Sequence, residues 1–306
     1  MIVFFNLGGI IKSYYECGAC ILRQVKEVID LSCEGERLKH ELMQDSIKYM
    51  AENFNNNSQP NKLATEVNQH IKQKTNCRDA YFKQKEVSNE IALSVMDKVK
   101  DILKTNDGLE SYVKVSIIGN ILDFGVYDIN TDFRRLIHEN LGKNLSINDI
   151  GEFEKALEFH DSLLYLVDNA GEIVFDRLLV EKIREYDVNV TIAVKDSPIV
   201  NDACMKEAVE AGLDELGEIV TLGCDSGGIV EEMFSSEFRK VFDESKFIVS
   251  KGMANYEGLT EMDLKDNDVF VLLCSKCNPI SKDLGVDIGS FVLKKLFSSQ
   301  DELEKK

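Results

Sequence analysis

The stretch that most constrains this chain is residues 163–178, LLYLVDNAGEIVFDRL. An apolar run at 163–167 has the length and the β-branched and aromatic content of a buried strand. It stops at Asp168-Asn169-Ala170-Gly171-Glu172 and resumes with a helical period. Strand, tight polar turn and helix, in that order, predict one unit of an open α/β sheet, in which ligands bind beyond the carboxyl ends of the strands. Two oxygen donors side by side, with Gly171 to let the backbone turn, suit a hard divalent cation. The same Asp168 and Asn169 could instead simply cap the helix that follows.

The unit recurs. Strands are expected near 163–167, 190–194, 218–222, 246–249 and 269–274, alternating with helices, so the sheet should be mainly parallel with helices on both faces. Behind these strands come the DNAGE turn, KDSPIVND from Lys195 to Asp202, GCDSGG from Gly223 to Gly228, KGMANY from Lys251 to Tyr256, and Ser275-Lys276-Cys277. Any one loop is ordinary turn chemistry, but their coincidence on one edge favours a site for phosphate and metal. No GxGxxG follows the first strand and no Walker lysine motif is present, which weakens nucleotide-cofactor readings. The four histidines are scattered without HxH or HExxH spacing, so an oxygen-ligated ion is expected rather than catalytic zinc.

The first half reads differently. Residues 17–31 place Ile21, Leu22, Val25, Val28 and Ile29 at helical spacing, behind Cys17-Gly18-Ala19-Cys20. A CxxC at a helix start lowers thiol pKa values and can hold a soft metal, yet one pair is half a zinc site and free cysteine is commonly a small buried hydrophobe. Helical periods continue over 36–103, broken by the loop NFNNNSQPN at 53–61; Cys77, Arg78, Asp79 and Tyr81 fall in the next helical region, with Cys77 read as packing. In the apolar helix at 113–124, Asn120 and Asp123 are three apart and share a face, and a buried polar pair needs partners. A ligand or metal shell facing the second domain would provide them. Residues 130–146 read as a linker with a short helix. The expected organisation is a mainly helical domain over 1–150, then a Rossmann-like α/β/α three-layer domain over 151–306 that binds metal and phosphate.

Composition supports a folded globular chain, with 44% hydrophobic and 29% charged residues among 306. A net charge of −18 opposes nucleic acid and anionic membrane surfaces, and no dense Lys/Arg run offsets it. The apolar opening at 1–11 is too short to span a bilayer and lacks a basic leader and a cleavage site, so a cytoplasmic location and reduced thiols are expected for the eight cysteines. Nothing in the sequence sets the oligomeric state.

The ordered set CGACILRQ, GNILDFG, DNAGEIVFD, VNDA, KGMANYEGL and CSK, spread over residues 17–282, resembles the metal-dependent damage-control phosphatases, formerly a domain of unknown function. The likeness is greatest to the microbial branch with an N-terminal CxxC. It implies a helical domain before an α/β/α domain, a divalent ion (Mn, Co, Ni or Mg), and hydrolysis of small phosphorylated metabolites such as sugar phosphates. Carried over by position, the metal ligands fall on Asp168, Asn169 and Asp202, and the phosphate-binding lysine on Lys276. The run Leu273-Cys274-Ser275-Lys276 lacks the arginine of the Arg-Thr-x-Lys form found in eukaryotic relatives, which leaves phosphate affinity and substrate choice open. Asn120 and Asp123 match GNxxD, and Lys251 and Asn255 match further substrate-binding positions.

Phosphomonoester hydrolysis needs charge neutralisation on the phosphoryl oxygens and an in-line nucleophile. An aspartate nucleophile would want a second aspartate two residues later, where this chain has Ala170. A metal-activated water is therefore expected, with Asp123 or Asp202 as proton acceptor. The rival readings are a methyltransferase-like enzyme using the loop at 223–228, and a binding protein clamped by zinc on Cys17, Cys20, Cys274 and Cys277.

Overall fold

The computed structural model describes residues 13–121 and 133–297. It begins with helices α1 (Tyr15–Ser32), α2 (Glu36–Asn53) and α3 (Pro60–Thr75). In α1 the buried residues are Ile21, Val25, Val28 and Ile29, one stripe at helical spacing. They meet Leu42 and Met50 of α2, and Leu63, Val67 and Ile71 of α3, in a core of their own. Pro60 opens α3, where its fixed φ and missing N–H cost nothing, and Asn76 ends it in the left-handed region at φ 53°. That ending corrects one expectation. Residues 77–81 are not helical but form the turn into α4, where Asp79 Oδ1 accepts the Tyr81 N–H at 3.1 Å.

Next come α4 (Phe82–Leu103), α5 (Leu109–Ile121), α6 (Phe133–Leu141), β1 (Leu145–Asn148), α7 (Ile150–Phe159), β2 (Ser162–Leu166), α8 (Glu172–Ile183) and β3 (Asn189–Val194). After these are α9 (Met205–Glu210), β4 (Glu218–Thr221), α10 (Ser236–Glu244), β5 (Phe247–Lys251), α11 (Met253–Leu259), β6 (Asp268–Cys274), α12 (Asn278–Leu284) and β7 (Phe291–Phe297). The strands form one seven-stranded sheet in the order β1-β7-β6-β5-β2-β3-β4. The five strands from β6 to β4 run parallel, while β7 is antiparallel to β6 and parallel to β1.

Alternation along β2 shows how the sheet is buried on both faces. Leu163, Tyr165 and Val167 enter one core with α4, α5, α7 and α8, while Leu164 and Leu166 enter the other with α10, α11 and α12. Each fully buried aliphatic side chain of this kind contributes about 1.5–3 kcal/mol. Because α4 and α5 belong to the core of the sheet, a division at residue 150 does not follow the packing. The cores part between α3 and α4 instead. Across that seam the contacts are mostly polar: Lys72 pairs with Asp225 at 2.7 Å, Asn61 Nδ2 donates to the Ala254 carbonyl at 2.7 Å, and the Gly227 N–H donates to Thr65 Oγ1 at 3.0 Å.

Candidate active site

From β2 the sheet is built outward through β3 and β4; the chain then returns to β5 on the other side of β2. That reversal is a topological switch point, and its crevice opens beyond the carboxyl ends of β2 and β5. Asp168 lies just past β2, and Gly252 follows Lys251, the last residue of β5. The loop after β3 is tied to the turn after β2 by an antiparallel bridge between Asn169 and Asp202, in which the Ala170 N–H donates to Asn201 O and the Ala203 N–H to Asp168 O, both at 2.9 Å. Asn89 of α4 holds the turn from behind, accepting the Gly171 N–H at 2.7 Å.

Two glycines make the close approaches possible. Gly252 has φ 81°, and a Cβ there would sit 1.9 Å from Asp168 Oδ2, so a side chain would displace the carboxylate as well as strain the backbone. A Cβ on Gly119 would come within 2.9 Å of Phe175, so the glycine lets α5 close on α8 and bring Asn120 to the site.

Asn120 Nδ2 donates to Asp168 Oδ2 at 2.9 Å and to Glu172 Oε2 at 2.7 Å. Asn169 Nδ2 reaches the same two oxygens at 2.8 and 3.0 Å. Asp168, Asn169, Asp202, Asn120 and Lys276 line one cavity of about 330 Å³. Lys276 makes no ion pair among the described residues; its Nζ donates to the Asn120 carbonyl. Burial pushes the Asp168 carboxyl well above its ordinary range, with the Glu172 and Asp202 charges adding and Lys276 and Lys195 opposing. Burial raises Asp202 too, offset in part by Lys195, whose Nζ stands 3.5 Å from Asp202 Oδ2. Among the described residues, the buried Asp202 Oδ2 and Asn120 Oδ1 have no hydrogen-bond partner. Crowded carboxylates, an amide and unpartnered buried oxygens are a donor set that fits a hard divalent cation.

Other expected site residues lie elsewhere. Lys251 is fully buried and lines neither this cavity nor its neighbour, because its Nζ is engaged by Glu172 at 2.6 Å, Asp176 at 2.5 Å and the Ser116 carbonyl at 3.1 Å. Asn255 is likewise behind the wall: its Nδ2 donates to the carbonyls of Val167 and Lys251, both at 2.9 Å, and so ties the end of β2 to the end of β5. Both were expected to bind substrate; in the structure they brace the strand ends behind the site and line neither cavity. Asp123 lies outside the described residues.

Cys17 and Cys20 line an adjoining cavity of about 740 Å³, together with Cys277. Among the described residues no three His, Cys, Asp or Glu side chains form a group that could hold a metal. The four thiols of the expected zinc clamp do not converge: Cys274 is 3% exposed in the core on one face of β6, whereas Cys277 is beyond the strand at the start of α12.

Sequence reasoning passed over Glu172, the residue to which both site amides donate, although it stands in the DNAGE run as the first residue of α8. It also passed over Gln24, Asn61, Thr65 and Asn68, the opposite wall of the cavity. Their only signal is that polar side chains occupy inward positions of α1 and α3, visible once the helices are placed.

Residues 13–292 match the damage-control phosphatase ARMT1-like domain. Among curated proteins, an uncharacterized protein of Methanocaldococcus jannaschii is 36% identical over 294 residues, covering 94% of this chain and 97% of that one. A damage-control phosphatase of Archaeoglobus fulgidus is 33% identical, with 91% and 97% covered, and one of Pyrococcus horikoshii 32%, with 92% and 97%. The crystal structure of a DUF89 family protein from P. horikoshii superposes with a TM-score of 0.85 at 30% identity, covering 93% of this chain and 99% of that one. With most of its length matched and its fold shared, the chain belongs to the ARMT1-like damage-control phosphatase family.

Proposed function

We propose that this protein is a divalent-metal-dependent phosphatase that hydrolyses small phosphomonoesters. The observation that carries the reading is the convergence of Asp168, Asn169, Asp202 and Lys276 on one cavity at the switch point of the sheet. Asp168, Asn169 and Asp202 would hold a Mg, Mn, Co or Ni ion. Bound there, the ion would neutralise phosphoryl charge and acidify a water. Lys276, which makes no ion pair with a carboxylate among the described residues, binds a phosphoryl oxygen from the facing side. Asp202 is the described carboxylate best placed to accept a proton, because Lys195 stabilises its ionised form and, among the described residues, its Oδ2 has no hydrogen-bond partner.

The leaving group meets Gln24, Asn61, Thr65 and Asn68, all uncharged amides or hydroxyls, and among the described residues no aromatic ring lines this cavity. Such a wall suits a hydroxyl-bearing group, as on a sugar phosphate, better than a base that needs stacking. The test is a phosphate-release screen of sugar phosphates and nucleotides with chelator-treated protein, resupplied with each of the four metals. Release from small sugar phosphates that returns only with a divalent ion is expected. Failure of every phosphomonoester with every metal contradicts the proposal.

A further inference from the structure

We infer that Glu172 is a positioning residue that sets the direction of both site amides, so that their carbonyl oxygens, not their N–H groups, are free to meet a cation. The inference rests on the cation reading proposed above. Glu172 Oε2 accepts from Asn120 Nδ2 at 2.7 Å, from Asn169 Nδ2 at 3.0 Å and from the Asn169 N–H at 3.4 Å. Asp168 Oδ2 accepts from the same two Nδ2 atoms at 2.9 and 2.8 Å. Glu172 is ion-paired with Lys251 at 2.6 Å, and an ionised carboxylate oxygen only accepts, so the amide end that each asparagine turns to Glu172 must be the NH2 end. The oxygen end of each asparagine is thereby turned away from Glu172. In Asn120 that oxygen is buried with no hydrogen-bond partner among the described residues, and Asn169 lines the cavity. An amide in the reverse sense would offer a cation two hydrogens.

Lys251 fixes Glu172 from the other side. Its Nζ is 2.6 Å from Glu172 Oε1 and is also held by Asp176. Lys251 has only donors to offer, so an isosteric glutamine at position 172 would turn its oxygen toward the lysine and its NH2 toward the asparagines. Both asparagines would then find a donor where they had an acceptor, and the pressure is to flip. Glu172 thus acts through Asn120 and Asn169 without itself meeting the substrate, and its carboxylate does for these amides what a carboxylate behind a metal-ligating histidine does for the ring.

The test is calorimetric titration of Mn2+ into the full-length chain, metal-free, as wild type, Glu172→Gln, Glu172→Asp and Asp176→Asn, each checked for a cooperative melt. Glu172→Gln is expected to bind Mn2+ about 10- to 100-fold more weakly, the size of effect that outer-shell partners of metal ligands show. Bound Co2+ should have an altered visible spectrum in that variant. Glu172→Asp keeps the charge opposite Lys251 but withdraws it from the amides, so it too should lose affinity. Asp176→Asn removes the charge of the other carboxylate beside Lys251 and leaves the amides alone; it should lower the melting temperature and keep Mn2+ affinity within about threefold of wild type, far short of the outer-shell effect. Wild-type affinity in folded Glu172→Gln or Glu172→Asp overturns the inference and leaves the proposed function standing. Absence of any divalent-ion binding by the wild-type chain overturns both.

Discussion

Asp168 carries its charge in a place that opposes it, buried and beside the carboxylates of Glu172 and Asp202, with Lys276 and Lys195 supplying the compensation. A site built this way is poised for added positive charge, and removing a lysine should damage it selectively. Lys276→Ala takes away a cavity-facing cation and leaves the metal-ligand candidates in place. It should weaken vanadate binding by about tenfold or more while Mn2+ binding stays near wild type, as parallel titrations will show. Loss of both together would mean that Lys276 holds the site together rather than the phosphate. Glu257, on the wall of the larger cavity, makes a pH prediction. Burial, with a smaller contribution from Glu261, pushes its carboxyl up to about 8. The folded state then binds a proton that the unfolded state has released, so stability falls as pH rises from the ordinary carboxylate range through about 8. Glu257→Gln should therefore raise stability by about 1–3 kcal/mol at pH 9 and change little at pH 4. Denaturant melts at the two pH values check the sign, and an equal effect at both would contradict it.

At the scale of elements, the β5–α11 turn is the tightest constraint on the site. Gly252→Ala puts a methyl group where Asp168 Oδ2 now lies and forces a positive φ on an L residue. It should cost about 1–3 kcal/mol of stability and weaken Mn2+ binding together. A variant with wild-type metal affinity would show that the turn can move without disturbing the carboxylate. Much of this level was legible in the sequence. The strands β2, β3, β5 and β6 are apolar runs buried on both faces, β4 is a short, half-buried edge strand, and all five fall within about two residues of where their patterns place them. The two remaining strands were not seen. β1 has only four residues at a sheet edge, with one buried, and lies partly in a stretch read as linker; β7 carries Lys294 and Lys295 among its apolar residues. The candidate site was legible where strand-end residues carry it, at Asp168, Asn169, Asp202 and Lys276. It was not legible in depth: Lys251 and Asn255 sit at the same strand end as the cavity but point behind its wall, and which way a side chain points depends on tertiary contacts that spacing does not encode.

At the scale of the molecule, α1–α3 form a cap with its own core, set on the sheet through amides, hydroxyls and ion pairs. Val200 is the apolar exception. It packs against the cap's core with φ 45°, an unusual conformation for a β-branched residue, two positions before Asp202. The arrangement predicts that the cap opens at lower free energy than the sheet beneath it. Hydrogen exchange followed by mass spectrometry should find α1–α3 exchanging before β2, β5 and β6; equal protection throughout would mean that the two cores unfold as one. Within the described residues no helix is long and apolar enough to cross a membrane, and the site lies at the seam, reached between the cap and the strand ends. The proposed metal-supported phosphate site at that seam is best tried by following phosphate release from a sugar phosphate alongside Mn2+ titration, in wild type and Asp168→Asn. The substitution keeps the shape of the side chain and removes its charge, so metal affinity should fall and turnover drop by about a hundredfold or more, with the melt unchanged or slightly improved. Asp168→Asn that binds Mn2+ and releases phosphate as the wild type does would reduce the DNAGE turn to a helix cap and contradict the proposed site.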